Sequence, residues 1–107
     1  MDKKFYITTP IYYPSAKPHM GHAYSSIIAD FFARFKRMDG FDVQFLTGTD
    51  EHGLKIQRSA EKQNINPLEF CNQISQTFRN LSETLNLTNT DFIRTTEDRH
   101  KKSVQHL

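Results

Sequence analysis

At 107 residues the chain can bury one modest core and leaves little room for accessory modules. A composition 36% hydrophobic and 24% charged is that of an ordinary globular protein, and a net charge of +2 is too small to imply a polyanionic partner by itself. No apolar run approaches the roughly 20 residues that span a bilayer, and the single cysteine, Cys71, excludes an internal disulfide framework or a cysteine zinc site.

The N-terminus, Met1-Asp2-Lys3-Lys4, is followed by a short, interrupted apolar segment that lacks the form of a signal-peptide core, so a cytoplasmic protein without a membrane partner is expected. Phe5-Tyr6-Ile7-Thr8-Thr9 is β-branched and aromatic and predicts a short, mostly buried strand that ends at Pro10. Residues 10–18 hold three prolines and two tyrosines, which predicts a stiff loop, either a surface connection or one wall of a pocket. Next comes Pro18-His19-Met20-Gly21-His22, with two imidazoles three residues apart at a strand-to-helix turn. Helix N-termini offer free N–H groups and partial positive charge, so this turn is a candidate polyphosphate site.

From Gly21 the period changes. Tyr24, Ile27, Ile28, Phe31, Phe32, Phe35 and Met38 follow the i, i+3, i+4, i+7 pattern, and Gly40 supplies a stop. The stripe predicts a helix that packs a broad aromatic face onto a sheet. Val43-Gln44-Phe45-Leu46-Thr47 predicts a second strand, ending at Gly48. Strand, helix and strand make a βαβ unit with parallel strands, whose carboxyl ends share one side. That topology brings the loop over 10–22 beside Gly48-Thr49-Asp50-Glu51-His52-Gly53. This second cluster has two readings: a polar loop that caps the next helix through Asp50 or Thr49, or the other half of a pocket. His19, His22, Asp50 and His52 also have the chemistry of a zinc or manganese ligand set, as in a metal hydrolase.

Leu54 to Asn64 predicts a short, charged helix over the sheet edge. Asn66 and Pro67 open the next helix as cap and first turn, and Cys71, Ile74, Phe78, Leu81 and Leu85 give it a docking face within the same protein, with Cys71 a small buried hydrophobe. Asp91-Phe92-Ile93-Arg94 predicts a short extended piece, and a final helix with Thr95 as its cap follows.

Thr8-Thr9-Pro10-Ile11-Tyr12-Tyr13, the tetrapeptide His19-Met20-Gly21-His22, and Thr47-Gly48-Thr49-Asp50-Glu51-His52-Gly53 together resemble the amino-terminal part of the methionyl-tRNA synthetase family. That family is one of the class I aminoacyl-tRNA synthetases, whose signature is His-Ile-Gly-His. The likeness runs through Asp91-Phe92-Ile93-Arg94-Thr95-Thr96-Glu97 and covers nearly the whole chain. It implies an α/β fold, the first half of a class I Rossmann-like nucleotide-binding domain, with residues 1–107 forming the amino-terminal part of the catalytic domain.

The resemblance further implies ATP-dependent activation of methionine and transfer to tRNA(Met), with ATP entering as its Mg2+ complex. His19, Gly21 and His22 would bind ATP, the two histidines catalytically through its phosphates. Pro10, Ile11 and Tyr13 would line the methionine side chain, Asp50 would face the ammonium group, and His52 would bind methionine too, by touching it or by supporting the residues that do. Met20 replaces the signature isoleucine with a side chain of similar volume, and Ser15 stands where relatives often carry asparagine. No metal site is implied within these residues, because the zinc-binding knuckles of the family belong to a connective region that should follow, as should the Lys-Met-Ser-Lys-Ser loop and the anticodon-binding domain. Competing expectations are a non-catalytic truncated or decayed remnant, and a smaller nucleotidyltransferase that uses a similar histidine-glycine-histidine turn.

Overall fold

Two segments rich in β-branched and aromatic residues, Lys3–Thr8 (β1) and Phe41–Thr49 (β2), form neighbouring strands joined by the helix Met20–Met38 (α1). They pair in parallel, with Ile7 opposite Phe45 and Thr8 opposite Leu46. Helices Leu54–Lys62 (α2) and Pro67–Thr84 (α3) follow, then strand Asp91–Arg94 (β3), which pairs in parallel with β2, and helix Asp98–His106 (α4). The sheet order is β1-β2-β3, so all three carboxyl ends lie on one side, as the βαβ reading requires. The computed structural model describes residues 3–14 and 17–107.

Strand β2 runs two residues past its expected end, through Gly48 and Thr49. A Cβ at Gly48 would collide with the Ile93 carbonyl oxygen, so glycine is what lets β3 run alongside at this point. Strand β1 is less buried than expected. Lys3, Lys4, Tyr6 and Thr8 are exposed, while Phe5 and Ile7 pack on the core, because β1 is a sheet edge and only one of its faces meets α1.

The largest departure from expectation concerns α1. The aromatic stripe does not pack on the sheet: Tyr24, Ile27, Ile28, Phe31, Phe32, Phe35 and Met38 are between 41% and 89% exposed. The sheet-facing side is instead Ser26, Ala29, Asp30 and Ala33, and Ala29 and Ala33 pack on Val43 and Phe45. Small side chains bring the helix close to the strands. Asp30 then reaches past them, its carboxylate accepting the Thr88 N–H (2.8 Å), the Thr88 hydroxyl (2.6 Å) and Arg34 Nε (2.7 Å). Burial disfavours that charge, but the donors from Thr88 and Arg34 outweigh it and hold the Asp30 carboxyl below its ordinary range. Helical periodicity shows that a face is apolar and cannot show which surface covers it; among the described residues nothing covers this one.

Helix α2 packs on α3 through Ile56 and Ala60 against Phe70 and Cys71. The Asn66 side chain caps α3 by accepting the Leu68 N–H at 2.8 Å, with Pro67 in the first turn, as expected. The docking face of α3 carries a second core of Phe78, Tyr12 and Phe92, with Ile74 beside it. The N-cap of α4 is Glu97, not Thr95, whose hydroxyl accepts the Glu51 N–H just after β2. No helix among the described residues is long and apolar enough to cross a membrane.

Candidate functional site

The loop after β1 is stitched to the end of β2. Thr9 N–H donates to Leu46 O (3.1 Å), Tyr12 N–H to Gly48 O (3.0 Å) and Asp50 N–H to Tyr12 O (2.8 Å). The hydroxyls of Thr9 and Thr47 share a further bond of 2.7 Å between buried atoms. The two clusters that lie far apart in sequence therefore meet, with Thr9 and Tyr12 bonded to the end of β2 and Tyr12 to Asp50.

The Tyr12 side chain turns inward. Its ring stacks on Phe78 at 5.7 Å and lies 4.7 Å from the His22 ring, and its hydroxyl shares a hydrogen bond with Ser26 Oγ at 3.1 Å. Sequence reasoning assigned roles to its neighbours Ile11 and Tyr13 and missed Tyr12. The available signal was its alternation with Tyr13 along extended backbone, where successive side chains take opposite sides.

His19 and His22 form a reciprocal capping box at the start of α1. His19 Nδ1 accepts the Gly21 N–H at 3.0 Å, and His22 Nδ1 accepts the His19 N–H at 3.0 Å. An imidazole nitrogen that accepts a hydrogen bond carries no proton, so in the neutral form each ring carries its proton on Nε2. The two rings stack 3.9 Å apart at 25° and present paired Nε2–H donors. Burial first, and then the neighbouring His19, hold the His22 imidazole below its ordinary pKa. Gly21 is needed for this arrangement, since a Cβ there would stand 2.9 Å from His19 Cε1.

A cavity of about 370 Å³ opens beside the pair, lined by Ile11, Tyr12, Tyr13, His19 and His22, together with Lys17 and Lys55. The structure thus gathers Ile11, Tyr13 and both histidines in one place and adds two ammonium groups that sequence reasoning did not single out. Lys55 could have been found, because a lysine in the first turn of a helix sits at the dipole end that disfavours a cation.

The other expected residues are arranged differently. Pro10 is exposed and does not line the cavity. Asp50 is half-buried, tied to Tyr12 through its backbone, and Oδ1 lies 3.4 Å from the His52 N–H it accepts. The N-cap of α2 is Gly53, with no side-chain cap, so neither Asp50 nor Thr49 is consumed in capping that helix. His52 turns away: its Nε2 lies 3.3 Å from Thr95 O, and it lines a separate cavity of about 300 Å³ with residues of α4. Among the described residues no group of three or more His, Cys, Asp or Glu is placed to hold a metal ion, so His19, His22, Asp50 and His52 do not form the ligand set of a metal hydrolase. Ser15 lies outside the described residues.

Residues 5–107 match the family model of the class I (M) tRNA synthetases. The chain belongs to that family. Among curated members, the chain is 56% identical over 105 residues to the mitochondrial methionine–tRNA ligase of Takifugu rubripes, covering 98% of the chain and 18% of the relative. It is 56% identical over 104 residues to the methionine–tRNA ligase of Rickettsia conorii, covering 97% of the chain and 20% of the relative. Its fold superimposes on the methionyl-tRNA synthetase of Mycobacterium tuberculosis bound by methionyl-adenylate with a TM-score of 0.92 and 47% identity, over 94% of this chain and 20% of that one. The architecture is accordingly the amino-terminal portion of the Rossmann-like synthetase fold, and the chain spans about a fifth of the length of the relatives it matches.

Proposed function

We propose that these residues are the amino-terminal part of the catalytic domain of a methionine–tRNA ligase, which activates methionine with ATP and transfers it to tRNA(Met) in the cytoplasm. The observation that carries the reading is the His19–His22 pair, whose Nδ1 atoms are both engaged by backbone N–H groups, which leaves each Nε2 as the donor beside a cavity that both residues line.

In the proposed reaction the methionine carboxylate oxygen attacks the α-phosphorus of ATP, the bond to the bridging oxygen breaks, and pyrophosphate leaves with its electrons. The protein positions the reactants and stabilises charge on the phosphoryl oxygens. His19 and His22 donate to those oxygens, Gly21 keeps the helix start open to the nucleotide, and Lys17 and Lys55 add positive charge where the phosphates lie. Ile11 and Tyr13 give the thioether an apolar, aromatic slot, and Pro10 precedes them in the loop without lining it. Asp50 holds the ammonium group, and His52 lies next to it in the chain, reaching the substrate only if its ring leaves Thr95. ATP enters as its Mg2+ complex, and zinc belongs to a connective region of the longer protein. A hydroxyl of the terminal tRNA ribose then attacks the methionyl carbonyl carbon and loses its proton, the bond from that carbon to the phosphate oxygen breaks, and AMP leaves.

The test is methionine-dependent ATP–pyrophosphate exchange. The full-length protein that contains this chain is expected to catalyse it, and residues 1–107 alone to give negligible exchange, because half a nucleotide fold lacks most of the pyrophosphate contacts. Exchange that does not depend on methionine would overturn the substrate assignment, and robust exchange by the 107 residues would overturn the fragment reading.

A further inference from the structure

Residue 51 lies between the two residues assigned to the amino-acid half of the site, and its side chain takes the opposite direction. Glu51 is 5% exposed, whereas His52 is exposed and Asp50 half-buried. The Glu51 carboxylate accepts four hydrogen bonds, from Thr49 Oγ1 (2.7 Å), Thr96 Oγ1 (2.7 Å), Arg94 Nε (2.6 Å) and Arg94 Nη2 (2.9 Å). Its backbone N–H donates to Thr95 Oγ1 at 2.8 Å, and its carbonyl oxygen faces Cys71 Sγ at 3.9 Å. Arg94 donates in addition to Asn72 Oδ1 at 2.6 Å. The end of β2, the end of β3 and helix α3 therefore converge on one residue.

Burial opposes ionisation here, and the bonds from Arg94, Thr49 and Thr96 outweigh it, so the carboxyl is held below its ordinary range. A buried ion pair gives little net stability compared with apolar side chains of the same volume, because desolvation offsets the attraction. Its distinctive property is direction: a bidentate guanidinium fixes the carboxylate in two dimensions where an apolar contact would let it slide. The nucleotide half rests on other side chains, His22 on Tyr12 and Phe78 and His19 on His22, and its tie to Asp50 runs through the Tyr12 carbonyl, which the Glu51 side chain does not touch.

We infer that the Glu51–Arg94 pair is a positioning device for the methionine half of the site, fixing the backbone from which Asp50 meets the substrate ammonium while leaving the nucleotide half untouched. This rests on the reading of Asp50 given above, and Glu51 touches no substrate.

The test is steady-state exchange by the full-length protein with methionine and ATP varied separately. Glu51→Gln is expected to raise the methionine KM about tenfold and leave the ATP KM within about twofold, and Thr96→Val, which removes one donor and keeps the ion pair, to move the methionine KM in the same direction by less. Asp50→Asn is the control. If it leaves the methionine KM unchanged, the reading of Asp50 fails and takes this inference with it. If Asp50→Asn raises the methionine KM while Glu51→Gln and Thr96→Val do not, or while they raise both KM values together, the positioning role is overturned. Should Glu51→Gln fail to fold, Thr96→Val decides by the same criterion.

Discussion

The carbonyl oxygen of Tyr12 accepts the backbone N–H of Asp50 at 2.8 Å, and the side chain of the same tyrosine supports the His22 ring. One residue thus joins the two halves of the site, its backbone serving one and its ring the other. Tyr12→Phe keeps both ring contacts and loses the bond to Ser26, which should cost about 1 kcal/mol. Tyr12→Ala removes a buried ring stacked on Phe78 and should cost about 3–5 kcal/mol. Denaturant unfolding of the full-length protein measures both, and equal losses in the two variants would show that the ring contacts contribute nothing.

Gly21 and Gly48 should respond to alanine in opposite ways. At Gly48 the new Cβ meets the backbone oxygen of Ile93, which cannot yield without parting β3 from β2, so Gly48→Ala should cost several kcal/mol, on the order of 3. At Gly21 the atom in the way is the tip of the His19 side chain, which can swing aside. Gly21→Ala should therefore change the melting temperature little, since the better helix propensity of alanine offsets the lost His19 cap, while exchange activity falls as the His19 ring is displaced. Thermal unfolding beside exchange assays separates the two, and an active Gly21→Ala protein would count against the His19 geometry.

The His22 titration has a defined sign. Its folded pKa lies below 6.5 because burial, and then His19, disfavour the imidazolium. Between the folded value and 6.5 the unfolded chain binds the extra proton, so the stability that His22 contributes is complete above 6.5 and is lost as pH falls through that value toward the folded pKa. Protonation at Nδ1 also deprives the His19 N–H of its acceptor. An NMR titration should place the His22 midpoint below 6.5; a midpoint above it would contradict the buried, stacked arrangement.

Burial, with the Glu51 charge adding to it and Arg94 opposing it, pushes the Cys71 thiol up to about 11. A thiol that is neutral and 1% exposed presents almost no thiolate at neutral pH. Iodoacetamide should modify Cys71 slowly in the folded protein and fast in denaturant, and mass spectrometry after a short pulse reads the ratio.

The exposed stripe of α1 predicts the behaviour of the 107 residues in isolation. Phe31, Phe32 and Phe35 are 64%, 47% and 54% exposed on one apolar face, an arrangement that favours self-association. Light scattering should show association that depends on concentration, and Phe31→Glu with Phe35→Glu should reduce it.

What the sequence determined by itself was local: the βαβ unit from its change of period, the turn at His19 and His22 from a glycine between two imidazoles, the Asn66 cap, and the meeting of two distant loops from the rule that parallel strands share their carboxyl ends. Family membership was legible in the same way, through two short motifs at a fixed spacing. The tertiary structure alone decided what each side chain faces. The apolar stripe of α1 points away from the sheet, because Ala29 and Ala33 are small enough to bring the helix onto Val43 and Phe45, and periodicity carries no information about what lies opposite a face. Tyr12 and Glu51 were inconspicuous beside Tyr13 and Asp50, yet Tyr12 bonds Gly48, Asp50 and Ser26, and Glu51 bonds residues as far away in sequence as Arg94 and Thr96. His52 turned to Thr95 for the same reason: a hydrogen bond to a segment more than forty residues on depends on where the chain returns, which no local pattern encodes.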